Sequence, residues 1–222
     1  MPTGSHRARR TGIRLPVIAA AVAILVLLGG GAWLFFFREG GNPFTGEEVA
    51  EFSFQLGKVG GAAATTGETA SKEEMGAAAE DVRETLDAMY VAGFIDPSKW
   101  ENGAFTEVLE AFTDDARRRA ARDLPNLTLG DDAGQVASVA PDVGRLSIRF
   151  LVAEGGELTA AVAATSFAAG GELKDGRPLI VQHRGSYYMH PGDDGWEIVG
   201  YQVRGIVTTG TTGQGPPEET PS

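Results

Sequence analysis

The side chains of this 222-residue sequence best suited to proton chemistry are Tyr90, His183, Tyr187, Tyr188 and Tyr201, with Asp81 as the nearest carboxylate. A carboxylate base buried beside a tyrosine that stabilises an oxyanion would support isomerase or dehydratase chemistry. Each residue also has a plainer role. Asp81 adjoins Glu80 and lies two residues from Arg83, the company of a solvated helix face. Tyrosines near strand ends usually bury the ring and wet the hydroxyl. His183 and His190 straddle Gly185 and flank a turn, where histidines are ordinary. No catalytic pair stands at a recognisable spacing. No residue is therefore assigned as catalytic, cofactor-binding or metal-ligating, and no cofactor is expected. The five residues from Tyr90 to Tyr201 are carried forward as pocket-lining or partner-facing candidates.

Composition narrows the chemistry further. There is no cysteine, which removes disulfides, thiol nucleophiles and thiolate zinc sites. Three histidines, His6, His183 and His190, are little material for a metal cage or a triad. Thirty acidic against nineteen basic side chains give −11, which argues against nucleic acid as a partner. The pairs Asp131-Asp132 and Asp193-Asp194 lack calcium-loop spacing. Asn126-Leu127-Thr128 matches a glycosylation sequon but reads as a turn after a helix, and Arg117–Arg119 reads as a solvated helix end.

The elements that must position these residues divide by period. Ser71 with Glu74 forms a capping box, and Met75, Ala79, Val82, Leu86, Met89/Tyr90 and Phe94 then recur every three or four residues. Gly93 is expected to stop this helix. Asp96-Pro97 opens a short turn holding Trp100, Phe105 to Phe112 form a third piece, and Thr113 caps a fourth that Leu124-Pro125 ends. Beyond it the period falls to two. Strands are expected at 135–140, 146–152, 158–168, 178–190 (with a bulge at Gly185) and 196–203, joined by Gly- and Asp-rich turns. Helices first and strands afterwards predict an α+β domain with a five-stranded antiparallel meander over 71–209.

The flanks read differently. Residues 1–14 carry four arginines and no acid, residues 15–37 carry no ionisable side chain, and the chain from Arg38 onward carries −15. That order predicts a basic cytoplasmic tail at 1–14, a transmembrane helix at 15–37 and an extracytoplasmic remainder in the plasma membrane. Twenty-three residues at about 1.5 Å each reach roughly 34 Å, enough to span a core of about 30 Å with some tilt. A cleavable signal peptide is the rival reading. It is disfavoured because the apolar run continues through Trp33–Phe37 and no A-x-A site stands there. A twin-arginine signal at Arg9-Arg10 lacks the following aromatic residue. Residues 38–70 are expected to be a stalk, with one short strand at most over Val49–Leu56, and 210–222 a disordered tail.

The order of one long helix, short helices around DPSKW and AFTEVLEAF, then strands ending in HRGSYYMHPGDDGWEIVGYQV resembles the nuclear transport factor 2-like (cystatin-like) cone. That resemblance implies a curved antiparallel sheet wrapped on the long helix, with a pocket at its open end. With the anchor and stalk added, the chain is similar to Mce-associated membrane proteins of high-GC Gram-positive bacteria and to anchored assembly subunits of type IV secretion systems. These resemblances imply an accessory or assembly subunit of a bacterial cell-envelope complex, acting through protein–protein contacts. The alternative is an isomerase- or dehydratase-like enzyme, or a small-molecule binder, that uses the cone pocket. The expected partners are other membrane or envelope proteins and, through 15–37, the lipid bilayer. Self-association into a homo-oligomer is left open. From its net charge, the ectodomain is expected to dock basic or neutral partners.

Overall fold

The computed structural model describes residues 51–63, 70–103, 105–193 and 195–210. The expected basic tail at 1–14, the transmembrane helix at 15–37 and all but the first residue of the tail at 210–222 lie outside them. Among the described residues no helix is long and apolar enough to cross a membrane.

A mixed five-stranded sheet of order β1-β2-β3-β4-β5 carries the helices on one face, so the α+β class holds. The strands are β1 (Gln55–Ala63), β2 (Val136–Val152), β3 (Leu158–Leu173), β4 (Pro178–Gly192) and β5 (Gly195–Thr209). The last four form antiparallel pairs in chain order. The first strand pairs parallel to β2, so the sheet is mixed and not the pure meander expected. The segment expected to be stalk thus supplies an edge strand. Its partner contacts explain why: Phe54 is buried, Phe52 packs against the core, and the Asp87 carboxylate accepts hydrogen bonds from Phe54 N at 2.8 Å and Ser53 Oγ at 2.6 Å. Gly144 makes room for this docking, because a Cβ there would stand 2.6 Å from the Phe52 ring.

The expected strands at 135–140 and 146–152 are one strand. Pro141-Asp-Val-Gly144 is not a turn but a bulge inside β2, with the register shifting between Pro141 and Val143. A bulge tolerates the missing proline N–H that a regular ladder would not.

Helix α1 (Lys72–Tyr90) starts at the predicted capping box, with Ser71 Oγ accepting from Glu74 N and the Glu74 carboxylate from Ser71 N. It buries Ala79, Val82, Leu86, Met89 and Tyr90, the predicted apolar stripe. Gly93 does not stop it. The helix widens into a π turn over Val91–Ile95 that buries Gly93 and Phe94. Gly93 is small because a Cβ there would stand 3.0 Å from Leu127 O, closer than ordinary contact.

A 3₁₀ turn (Pro97–Gly103) follows, then α2 (Thr106–Glu110), α3 (Asp114–Ala120) capped by Thr113, and α4 (Leu124–Leu127). Leu124-Pro125 therefore opens a short helix and does not end the preceding one, as suits proline in a first turn. Residues 111–113 close part of the free β5 edge, with Ile198 N donating to Ala111 O and Thr113 N to Ile198 O.

Candidate functional site

Three of the five candidates meet at one point between α1 and the inner face of the sheet. Tyr90 comes from the last turn of α1, while His183 and Tyr187 come from β4 with even spacing, so all face inward. Thr165 on β3 completes the group, because register sets it opposite Gly185. Gly185 is no bulge: the β3–β4 ladder runs through it in register. It is glycine because the Tyr187 ring lies over it, and a Cβ would stand 2.6 Å from that ring and 3.1 Å from Thr165 Oγ1.

The hydrogen bonds have a determined direction. The Asn126 carbonyl can only accept, so His183 Nε2, at 3.0 Å, carries the proton. Burial, outweighing this bond to Asn126, lowers the His183 pKa to about 4, so the imidazole is neutral and Nδ1 is an acceptor. Tyr90 therefore donates to Nδ1 at 2.7 Å. The Tyr90 oxygen in turn accepts from Thr165 Oγ1 at 2.7 Å and from the Tyr187 hydroxyl at 3.2 Å. Burial holds both tyrosine hydroxyls well above the ordinary phenol range, and for Tyr187 the neighbouring Tyr90 adds to it.

The aromatic surroundings seal the group. The Tyr90 ring meets Phe54 at 4.8 Å and Phe94 and Phe167 at 5.4 Å, edge-on or tilted. Tyr90 and Tyr187 are 0% exposed and His183 1%, so no substrate atom reaches them in this conformation. No carboxylate joins the cluster among the described residues. A row of neutral, mutually satisfied hydroxyl and imidazole groups specifies the packing of α1 on β3 and β4. It supplies neither an ionised base nor an oxyanion hole opening on a cavity.

The other candidates lie elsewhere. Tyr188, one residue from Tyr187, points to the opposite face of the sheet and is exposed. Tyr201 is buried beside Phe112 and under the Arg119 guanidinium, 4.8 Å from its ring centre. Burial first, and then the nearby Asp123 carboxylate, push its pKa up to about 12, while among the described residues no group stands in hydrogen-bonding geometry to its hydroxyl. Asp81 is exposed on α1.

One cleft, of about 270 Å³, opens between the 125–132 segment and β4–β5. Asn126, Thr128, Asp131, Gln182 and Ile206 line it, and His183 lies behind the Asn126 carbonyl. It falls just below the roughly 300–1,000 Å³ of small-molecule sites.

Neither protein-family profiles nor curated proteins give a match to this sequence. Among solved structures it is similar to a candidate aromatic ring hydroxylase of Novosphingobium aromaticivorans, with 15% identity and a TM-score of 0.42 over 60% of this chain and 94% of that one.

Thr165 and the Asn126 carbonyl had no sequence signal of function. Thr165 sits in the alanine-rich LTAAVAATSFA, and a main-chain acceptor is invisible to residue type.

Proposed function

We propose that this chain is a membrane-anchored, extracytoplasmic accessory or assembly subunit of a bacterial envelope complex, with a nuclear transport factor 2-like domain that works through protein contacts. The observation that carries the reading is the closed Tyr90–His183–Tyr187 cluster. Among the described residues, the place where α1 and the sheet bring tyrosine and histidine together is closed by aromatic rings, neutral and fully hydrogen-bonded. A pocket enzyme of this architecture needs the reverse, an open cavity with a carboxylate beside tyrosine or histidine. The uncharged 15–37 segment and its basic flank support the anchor.

The test is mild crosslinking in native membranes, then purification of the full-length protein and of a form whose 15–37 segment is exchanged for an unrelated span. One stoichiometric partner set that survives the exchange is expected. Loss of that set on exchange would move recognition into the membrane segment. Recovery of the protein alone in both forms would overturn the proposal and return attention to the Asn126–Ile206 cleft.

A further inference from the structure

The outer face of the sheet, away from the helices, has a charge opposite to that of the chain. Register aligns Arg145, Ser166, Arg184 and Arg204 in one row across β2, β3, β4 and β5. Arg149 stands in the row that contains Val162, Tyr188 and Gly200. All four arginines are exposed, and none makes an ion pair among the described residues. Arg184 and Arg204 are direct cross-strand neighbours, an arrangement that destabilises a sheet unless an anion relieves it. Of the carboxylates on these strands, Glu172 and Glu197 stand near strand ends, with Glu197 3.6 Å from His190, while Asp142 lies in the β2 bulge three residues before Arg145. The exposed side of α1, by contrast, carries Glu73, Glu80, Asp81 and Glu84.

Shape adds to charge. Along β3 the outward residues Ala160, Val162, Ala164, Ser166 and Ala168 are small, while β2 and β4 raise Arg145, Arg149 and Leu151 on one side and Arg184 and Tyr188 on the other. The wall strands are two spacings apart, about 10 Å between axes, so the apolar ridge of an α-helix about 10–12 Å across can rest along β3 while its flanks lie over the two walls. From Ala160 to Ala168 the trough runs roughly 26 Å, the length of about 18 helical residues. Leu151, Val162 and Tyr188 are 38–45% exposed and offer apolar contact along it.

We infer that this trough docks an amphipathic α-helix of another protein, one with an apolar stripe toward β3 and acidic residues along both margins. The inference rests on the protein-contact reading above and names its surface. A second copy meeting face to face would set arginine rows against each other, which like charge disfavours. A bilayer surface is flat and fits a trough poorly.

A photocrosslinking amino acid placed at Ser186, between Arg184 and Tyr188, in the full-length chain in native membranes tests this, with Asp81 on the helical side for comparison. The expected adduct joins Ser186 to a segment that peptide mapping reads as apolar on one helical stripe and acidic on its margins. Its yield should fall roughly tenfold or more in the Arg145→Glu, Arg184→Glu, Arg204→Glu triple variant. It should persist in the corresponding triple lysine variant, with the thermal midpoint of both variants near that of the parent. An adduct with lipid, with a second copy, or with a non-acidic segment overturns the inference, as does a yield indifferent to charge reversal. Adducts at Asp81 alone overturn the surface and leave the protein-contact reading standing. Adducts at neither position overturn both.

Discussion

Replacing Tyr90 by phenylalanine removes one oxygen and leaves its ring among Phe54, Phe94 and Phe167. That oxygen is the hub of three bonds: it donates to His183 Nδ1 and accepts from Thr165 and Tyr187. Without it, Nδ1 and the Tyr187 hydroxyl are buried with no partner, while Thr165 keeps a long bond to Gly185 O at 3.5 Å. A buried polar atom left unsatisfied costs about 1–3 kcal/mol, so two such atoms, less the relieved desolvation of the lost hydroxyl, predict about 3 kcal/mol. For a chain of this size that corresponds to roughly 6–12 °C in melting midpoint. Thr165→Val is the control. It removes one donor to Tyr90 but keeps the Tyr90–His183 bond and the Tyr187 donor, and should cost about 1 kcal/mol. Urea titrations of the full-length protein in detergent, followed by Trp100 and Trp196 fluorescence and by circular dichroism, measure both. A Tyr90→Phe cost below about 1 kcal/mol, or a Thr165→Val cost equal to it, would refute the hub assignment.

His183 gives a pH dependence. Its folded pKa, about 4, lies below the ordinary 6.5, so the unfolded chain binds the extra proton between those values. Its contribution is complete above pH 6.5 and is lost as pH falls toward 4, at up to about 1.4 kcal/mol per unit. His183→Gln, whose amide can both donate to Asn126 and accept from Tyr90, should lose that slope. The comparison is made between His183→Gln and the parent because burial raises the Asp87 pKa, a shift of opposite sign. A urea series from pH 4 to 8 in which the parent and His183→Gln fall equally would reject the assignment. Gly185→Ala should cost about 2–3 kcal/mol by displacing the Tyr187 ring. Gly200→Ala, whose nearest neighbour is Tyr188 Cδ2 at 3.7 Å, should be within about 1 kcal/mol of the parent in the same titration. Tyr201→Phe removes a buried hydroxyl that has no hydrogen-bonding geometry to any described residue and should leave stability unchanged or raise it by up to about 1 kcal/mol, read by thermal melt.

Locally encoded features were legible in the sequence. The start of α1 is written in Ser71 and Glu74, and its buried stripe in the spacing from Met75 to Tyr90, because capping and helical period act within a few residues. The first strand was not legible. QLGKVGGAA is glycine-rich with little alternation, and what holds it is distant: Asp87 on α1, the β2 ladder, and the space that Gly144 leaves for Phe52. The same holds for Pro141–Gly144, which has turn composition but is absorbed as a bulge because β3 pairs on both sides of it. A turn signal states where a chain is free to bend; long-range pairing decides whether it does.

The candidate site was half legible for a related reason. Residue type picked out Tyr90, His183 and Tyr187, and the period of two on β4 separates Tyr187, inward with His183, from Tyr188, outward with Arg184. Type alone had grouped Tyr188 with the others. Beyond one strand, however, what matters is register. Arg145, Arg184 and Arg204 are each unremarkable in sequence and far apart, in a chain whose acids bring the total to −11. Pairing sets them in one row and turns the carboxylates of α1 to the other side of the sheet. An expectation drawn from net charge points to basic or neutral partners, because it averages over faces that a partner meets one at a time. Recognition at contact distance is governed by the local row, since charges more than a Debye length of about 8 Å away are screened. The sheet face and the helical face of this domain should therefore select partners of opposite sign.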